Sequence, residues 1–359
     1  MTLAYDVSGH GPAVLLLHST VCDRHMWDPQ MPALTGAGYQ VVRCDLSGYG
    51  DSPVPDGPFD NVQDVADLLD SLGIERLAVV GASGGGRVAL EFAARWPARV
   101  SALALLCSAM RGHEPSVELR KFGAQEDALL EAGDVAGATE LNVNLWLGPE
   151  ADEATRSKVR MMQRHAFEVQ LAVDATAAQS EVAQAQAEAE SAQAQAQAQA
   201  KAPAPAPAQG AQAQAAEAEA AQAQAAHAQA VHEQAAHAQA ATTAEPAEKA
   251  ELAPAQSATD RQLAANAELA TSQPTAEAEA DAQQGATEDG GVDLSSIVAP
   301  ALVVSGAHDL PDFEEIAVHL AGVLPHARHL HLDWAGHLPS LERPDLTNAL
   351  LVSFLANPS

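Results

Sequence analysis

Gly81-Ala82-Ser83-Gly84-Gly85 follows an apolar run, Leu77-Ala78-Val79-Val80, and opens a helical pattern that continues from Arg87 to Trp96. A serine held on a sharp turn between strand and helix projects its hydroxyl clear of a sheet, and small neighbours let the two elements approach closely. The same turn aims the backbone N–H of Gly84 at the place where an oxyanion would form on an attacked carbonyl. The pattern G-x-S-x-G is weak in isolation, because glycine and serine are common. Its setting between a buried strand and a helix makes Ser83 a candidate nucleophile instead of one member of a glycine-rich turn.

A serine hydroxyl needs a base to take its proton and an acid to orient that base. The C-terminal part of the chain offers both. Ala301-Leu302-Val303-Val304-Ser305-Gly306 reads as a buried strand, with Ala307-His308-Asp309 at its end. Arg328-His329-Leu330-His331-Leu332 reads as the next strand and is followed by Asp333-Trp334-Ala335-Gly336-His337. Asp309 and His337 therefore each lie just past a strand, and in an open parallel sheet such ends share one edge with the serine turn. The chain order, Ser83, Asp309, His337, is the order expected of a strand–turn–helix serine in such a sheet.

Those residues require a scaffold. Strand-like runs occur at Leu3–Val7, Ala13–His18, Tyr39–Asp45, Leu77–Gly81, Val100–Cys107, Ala301–Ser305 and Arg328–Leu332. Helix-like runs lie between them, at Asn61–Leu72, Gly85–Trp96, Phe313–Leu324 and Asp345–Leu355. The alternation predicts an α/β fold, a doubly wound and mostly parallel sheet with helices on both faces. No G-x-G-x-x-G opens an early helix and no Walker pattern is present, so a nucleotide-binding reading lacks support.

Five stretches in this order resemble the α/β-hydrolase fold, in its small serine esterase, lactonase and haloperoxidase-like group. They are Leu15-Leu16-Leu17-His18-Ser19-Thr20, Asp45-Leu46-Ser47-Gly48-Tyr49-Gly50-Asp51-Ser52, the serine turn, Val304-Ser305-Gly306-Ala307-His308-Asp309, and Gly336-His337-Leu338-Pro339-Ser340-Leu341-Glu342-Arg343-Pro344. The resemblance covers about residues 1–175 and 292–359. It implies a sheet of the eight-stranded type and a helical lid inserted after the strand that ends near Cys107. It implies a triad of Ser83, His337 and Asp309 that cleaves a small carboxylic ester or lactone through an acyl-enzyme. It also implies a second oxyanion donor in the stretch after the first long strand, carried here to the backbone N–H of Thr20; Ser19 stands where the family usually has glycine. Cofactor-free haloperoxidase or perhydrolase-like chemistry and C–C bond hydrolysis are the enzymatic alternatives, and a receptor-like binding module is the alternative of another class. A nucleophilic aspartate, as in dehalogenases and epoxide hydrolases of this fold, is disfavoured by Ser83 at the turn.

Each candidate has a rival. Asp312 is the nearest competitor for the acid, but it lies before the helix Phe313–Leu324, where it would cap. His18 reads as structural, hydrogen-bonded within its loop. His113 would serve as a base only if the loop after Cys107 folded back, and His326, His329 and His331 suit surface or packing roles. No H-E-x-x-H or C-x-x-C spacing occurs, so no metal and no cofactor is expected.

The lid is expected over 111–175, with helices at Val117–Ala132, Val135–Trp146 and Glu153–Ala172. Leu145, Trp146, Leu147, Met161, Met162, Phe167 and Leu171 are candidates to line an acyl pocket, and by resemblance Trp27 lies near its mouth. Between the hydrolase-like parts, 1–110 and 292–359, residues 176–291 are dominated by Ala, Gln and Glu, with no aromatic residue, Ile, Met or Cys. Such a stretch buries too little apolar surface to offset the ordering of its backbone. It reads as solvated helix or disorder, with Ala202-Pro203-Ala204-Pro205-Ala206-Pro207 as an extended spacer.

The chain carries 48 acidic and 18 basic residues, a net charge of −30, which argues against nucleic acid and anionic membrane surfaces as partners. A small-molecule substrate is the expected partner. No signal-peptide pattern and no membrane-length apolar run is seen, and three cysteines in core-like contexts suit free thiols, so a cytoplasmic location is expected.

Overall fold

The computed structural model describes residues 3–55, 57–201 and 293–358. The chain divides into two units, Met1–Gln170 with Gln256–Ser359, and Leu171–Ala255. The sheet, Ser83, Asp309 and His337 belong to the first unit.

Among the described residues the sheet has seven strands: β1 (Tyr5–Ser8), β2 (Ala13–Leu17), β3 (Gln40–Cys44), β4 (Leu77–Ala82), β5 (Val100–Leu106), β6 (Ala301–Gly306) and β7 (Ala327–Leu332). Their order is β1-β3-β2-β4-β5-β6-β7. Only β1, paired with β3, is antiparallel. All seven match the expected strand runs, one fewer than the eight-stranded type. β2, β4 and β6 are buried along their whole length, which is why they read as unbroken apolar runs. The edge strands β1 and β7 are half-exposed.

The helices are α1 (Gln30–Gly36), α2 (Asn61–Ser71), α3 (Gly84–Arg95), α4 (Val117–Glu131), α5 (Val135–Trp146), α6 (Glu153–Lys201), α7 (Pro311–Val323) and α8 (Pro344–Ala356). On α2, Val62, Val65, Ala66 and Leu69 form the buried stripe, and the Asp60 side chain caps the helix by accepting from the N–H groups of Val62 and Gln63. Alternate residues of the central strands feed two cores. Leu15, Leu17 and Val79 pack with α2 and α3 on one face, and Val14, Leu16 and Val80 pack with Leu34 of α1 and Phe354 of α8 on the other.

Two expectations change. Asp312 is not a cap: α7 begins at Pro311, with Leu310 in the capping position, because proline supplies the first-turn geometry without needing a partner for an N–H. The helix expected to end at Ala172 continues to Lys201, which takes in the start of the 176–291 segment. Alanine and glutamine favour helix, which accounts for the extension. The expectation for the rest of that segment, including the spacer at 202–207, falls outside the described residues.

Among the described residues no helix is long and apolar enough to cross a membrane. Cys22, Cys44 and Cys107 are free and buried.

Candidate active site

Register aligns the C-terminal ends of the central strands: Leu17 pairs with Gly81, Gly81 with Leu105, and Leu105 with Val303. His18, Ser83, Cys107 and Asp309 follow those ends, and His337 follows β7, so all five lie along one sheet edge.

Ser83 sits between β4 and α3 with φ 52° and ψ −120°, a conformation that L-residues rarely adopt and that the surroundings must enforce. Its N–H donates to the Leu106 carbonyl at 3.0 Å, and its carbonyl accepts from Ala109 at 3.0 Å and from Arg87 at 3.1 Å. The crossing of strand and helix needs glycine, since a Cβ at Gly81 would fall 2.4 Å from the Gly85 oxygen; one at Gly85 would fall 2.3 Å from the His18 oxygen, just past the end of β2. Ser83 is buried, 6% exposed.

Gly84 is the first residue of α3, so its N–H has no partner within the helix and lies at the positive end of the helix dipole. Thr20 abuts it, since a Cβ at Gly84 would lie 2.5 Å from Thr20 Cγ2. The loop carrying Thr20 is pinned by His18, which is fully buried. His18 Nδ1 is 2.8 Å from the Ser19 carbonyl and must donate to it, while Nε2 accepts the Leu46 N–H at 2.9 Å. Both ring nitrogens are therefore occupied. Burial lowers the pKa of His18, which favours this neutral tautomer.

His337 Nδ1 and Asp309 Oδ2 are 2.7 Å apart, with both side chains almost wholly buried. The other carboxylate oxygen, Asp309 Oδ1, accepts the Leu310 N–H at 2.8 Å, so both oxygens are fixed. Two rings enclose the imidazole: Trp146 from the end of α5 at a centroid distance of 4.5 Å, and Phe313 of α7 at 4.2 Å. Trp146 is itself anchored, its Nε1 donating to Asn142 Oδ1 at 2.9 Å while its carbonyl accepts the His337 N–H at 3.2 Å.

Cys107 links the serine to this pair. It follows Leu106, the partner of Ser83, and its Sγ is 3.6 Å from the Gly336 carbonyl. The donor atoms of Cys107, Asp309 and His337 lie within 4.8 Å of one another, a set that a zinc-like ion could use. To hold one, the pair would have to surrender its hydrogen bond and the thiol its proton. Burial pushes the Cys107 thiol well up, and the charges of Asp309 and Glu342 add to that.

The rival acid is engaged elsewhere. Asp312 Oδ1 accepts the Ser116 N–H at 2.7 Å and lies 3.1 Å from His113 Nε2. Burial raises its carboxyl, but the bonds from Ser116 and His113 outweigh that and hold it below the usual range. His329 Nε2 and His331 Nδ1 share the Ser305 hydroxyl, at 2.8 and 3.1 Å.

The expected pocket residues separate. Trp146 lies against His337. On α6, Val159, Met162, Gln163, Ala166 and Phe167 form the buried stripe at helical spacing. Met161 falls on the opposite face and is 66% exposed, so it lines no pocket. Trp27 is fully buried in the core with Met26 and Leu34, and so does not stand at a mouth; its indole Nε1 has no hydrogen-bond partner among the described residues. Sequence reasoning did not single out Cys107, Phe313 or Glu342 for the site.

Comparisons with known proteins agree with this architecture. The family model for the alpha/beta hydrolase fold matches residues 12–344. Among curated proteins, a fluoroacetate dehalogenase of Burkholderia sp is 39% identical over 114 residues, 30% of this chain and 37% of that protein. Epoxide hydrolase 2 of Siraitia grosvenorii is 36% identical over 115 residues, 31% of this chain and 36% of that protein. The chain thus spans well under half the length of these curated relatives. Among solved structures, the enol-lactonase from Burkholderia xenovorans LB400 aligns with a TM-score of 0.58 at 19% identity, covering 99% of this chain and 96% of the other. An esterase from Exiguobacterium antarcticum aligns with a TM-score of 0.59 at 15% identity, covering 99% and 96%. At these identities the structural likeness speaks for the fold alone.

Proposed function

The chain belongs to the alpha/beta hydrolase fold family, and we propose that it is a metal-independent serine hydrolase of small carboxylic esters or lactones. The observation that carries this reading is the strained Ser83 on the same sheet edge as the 2.7 Å His337–Asp309 pair. The relatives include a dehalogenase and an epoxide hydrolase, but position 83 holds a hydroxyl in place of the carboxylate a displacement of those kinds would use.

In the proposed reaction Ser83 Oγ adds to the ester carbonyl as His337 Nε2 takes the hydroxyl proton. Asp309 accepts the Nδ1–H, fixes the tautomer and stabilises the imidazolium. The N–H groups of Gly84 and Thr20 hold the oxyanion. Collapse expels the alcohol, which takes the proton from His337. Water, deprotonated in turn by His337, then attacks the acyl-enzyme and regenerates Ser83.

The helices from Val117 to Gln170 serve as the lid, with Trp146 and Phe167 the apolar side chains closest to that role. Residues 176–291 are an appendage to the hydrolase. Turnover of p-nitrophenyl esters of increasing chain length tests this function. The wild type should hydrolyse the short members, and Ser83→Ala should lose turnover by on the order of a thousandfold or more. A folded wild type that cleaves none of them would end the esterase reading.

A further inference from the structure

The loop that carries His337 is gripped by a carboxylate with no part in the reaction as written. Glu342 lies at the end of a single helical turn, Pro339–Glu342, and is 4% exposed. Its Oε2 accepts the Gly336 N–H at 2.8 Å, and its Oε1 accepts the Leu338 N–H at 3.1 Å. These two residues flank His337. Gly148, just after α5, packs against the same carboxylate. The packing leaves no slack: a Cβ at Gly148 would fall 2.5 Å from Glu342 Oε2, and a Cβ at Gly336 would fall 2.4 Å from the Gly148 nitrogen.

A helix cap would account for the Leu338 bond, but the Gly336 bond lies outside that turn. Burying an ionisable group is unfavourable unless its partners compensate. Burial does push the Glu342 carboxyl up, against the pull of the backbone N–H groups and of His337. Leu338 and Leu341 show that the same segment can fill its space with apolar side chains, so packing alone does not call for a carboxylate.

We propose that Glu342 is a positioning residue for His337: its carboxylate locks the peptide groups on both sides of the base, and Gly148 packs against it. This rests on the reading of His337 as the general base. The groups that face His337 are then the Asp309 carboxylate, the Cys107 thiol, the Glu342 carboxylate and the rings of Trp146 and Phe313. Of these, Asp309 orients the imidazole through Nδ1, and Glu342 orients the backbone that bears it. The Glu342 charge also favours the imidazolium formed when the serine proton is taken.

Glu342→Gln is the sharpest probe. It keeps the shape but turns an NH2 donor toward N–H donors and removes the charge. The expected result is a kcat lowered tenfold to a hundredfold with KM within about twofold. The acid limb of kcat/KM should also move to lower pH, since the lost anion no longer favours the imidazolium. The His337 imidazole titration, followed by NMR without substrate, should move by the same amount in the same direction. Glu342→Asp keeps the charge but is one methylene short, so it should return the titration to the wild-type value while leaving kcat low. A folded Gln variant with wild-type kcat and an unmoved His337 titration overturns the proposal. If the Gln variant does not fold, the Asp variant decides: wild-type kcat overturns the proposal and a tenfold loss supports it. If the wild-type protein turns over no ester, the hydrolase reading fails separately, and an unmoved NMR titration then overturns the placement of Glu342.

Discussion

Asp309→Asn isolates what the carboxylate does for His337, and the structure fixes the outcome before the experiment. In the wild type Asp309 Oδ1 accepts the Leu310 N–H at 2.8 Å and Oδ2 faces His337 Nδ1 at 2.7 Å. An asparagine has one oxygen. The Leu310 N–H claims it, because an NH2 group there would meet another donor. The amide NH2 is thereby turned to His337 Nδ1, which must become the acceptor, and the ring proton moves to Nε2. His337 then presents a donor where the reaction needs an acceptor. Loss of the correct tautomer in a serine triad is worth about 10⁴ in kcat, or about 5.5 kcal/mol in the barrier. Because the shape and the Leu310 bond survive, the fold should change little, and the melting temperature should stay within a few degrees. The assay is kcat for a short p-nitrophenyl ester at neutral pH, with thermal unfolding alongside. A folded variant that keeps more than about a tenth of the wild-type kcat would refute the argument from tautomers.

Three further outcomes follow from the same geometry. Gly85→Ala drives a Cβ to within 2.3 Å of the His18 oxygen and 2.5 Å of the Leu17 oxygen, so the urea midpoint should fall by the equivalent of about 1–3 kcal/mol or more; an unchanged midpoint would contradict the close approach of α3 to the end of β2. Burial lowers the pKa of His18, so the unfolded chain binds the extra proton first; the stability from keeping His18 neutral is complete above its unfolded pKa of about 6.5 and is lost as pH falls through the lowered folded value. The drop in urea midpoint between pH 7.5 and pH 5.5 should therefore be smaller in His18→Ala than in the wild type, and an identical drop would contradict the buried neutral tautomer. Burial raises the thiols of Cys22, Cys44 and Cys107, so a disulfide reagent should label none in the folded protein at neutral pH and all three in denaturant; fast labelling of the folded protein would contradict their burial.

The sheet was legible because its central strands are buried on both faces and so spell continuous apolar runs, as in Leu77–Val80 and Ala301–Val304. The serine turn was legible because Gly81 answers to a local crossing of strand and helix, while Gly85 leaves room for the end of β2. Other contacts between distant segments left no such trace. Cys107 meets the Gly336 carbonyl across 229 positions, and Asp312 meets the Ser116 N–H across 196. A local cap was the natural expectation for Asp312, and a tertiary bond to the chain entering α4 replaced it. Met161 and Met162 are adjacent in sequence, yet the helix turns one to solvent and the other inward, so a pair read as one pocket wall becomes two unrelated side chains. The extension of α6 to Lys201 reflects propensity: alternation of alanine and glutamine lacks a docking stripe but still favours helix over the segment described.

The account turns on Ser83 as the nucleophile, and covalent capture tests that directly. A p-nitrophenyl alkylphosphonate mimics the tetrahedral intermediate and transfers its phosphonyl group to an activated serine with release of p-nitrophenolate. The prediction is one equivalent of p-nitrophenolate, one adduct by intact mass, its position at Ser83 by peptide mapping, and no adduct in Ser83→Ala. An adduct on another residue, or none on a protein that hydrolyses esters, would contradict the central claim.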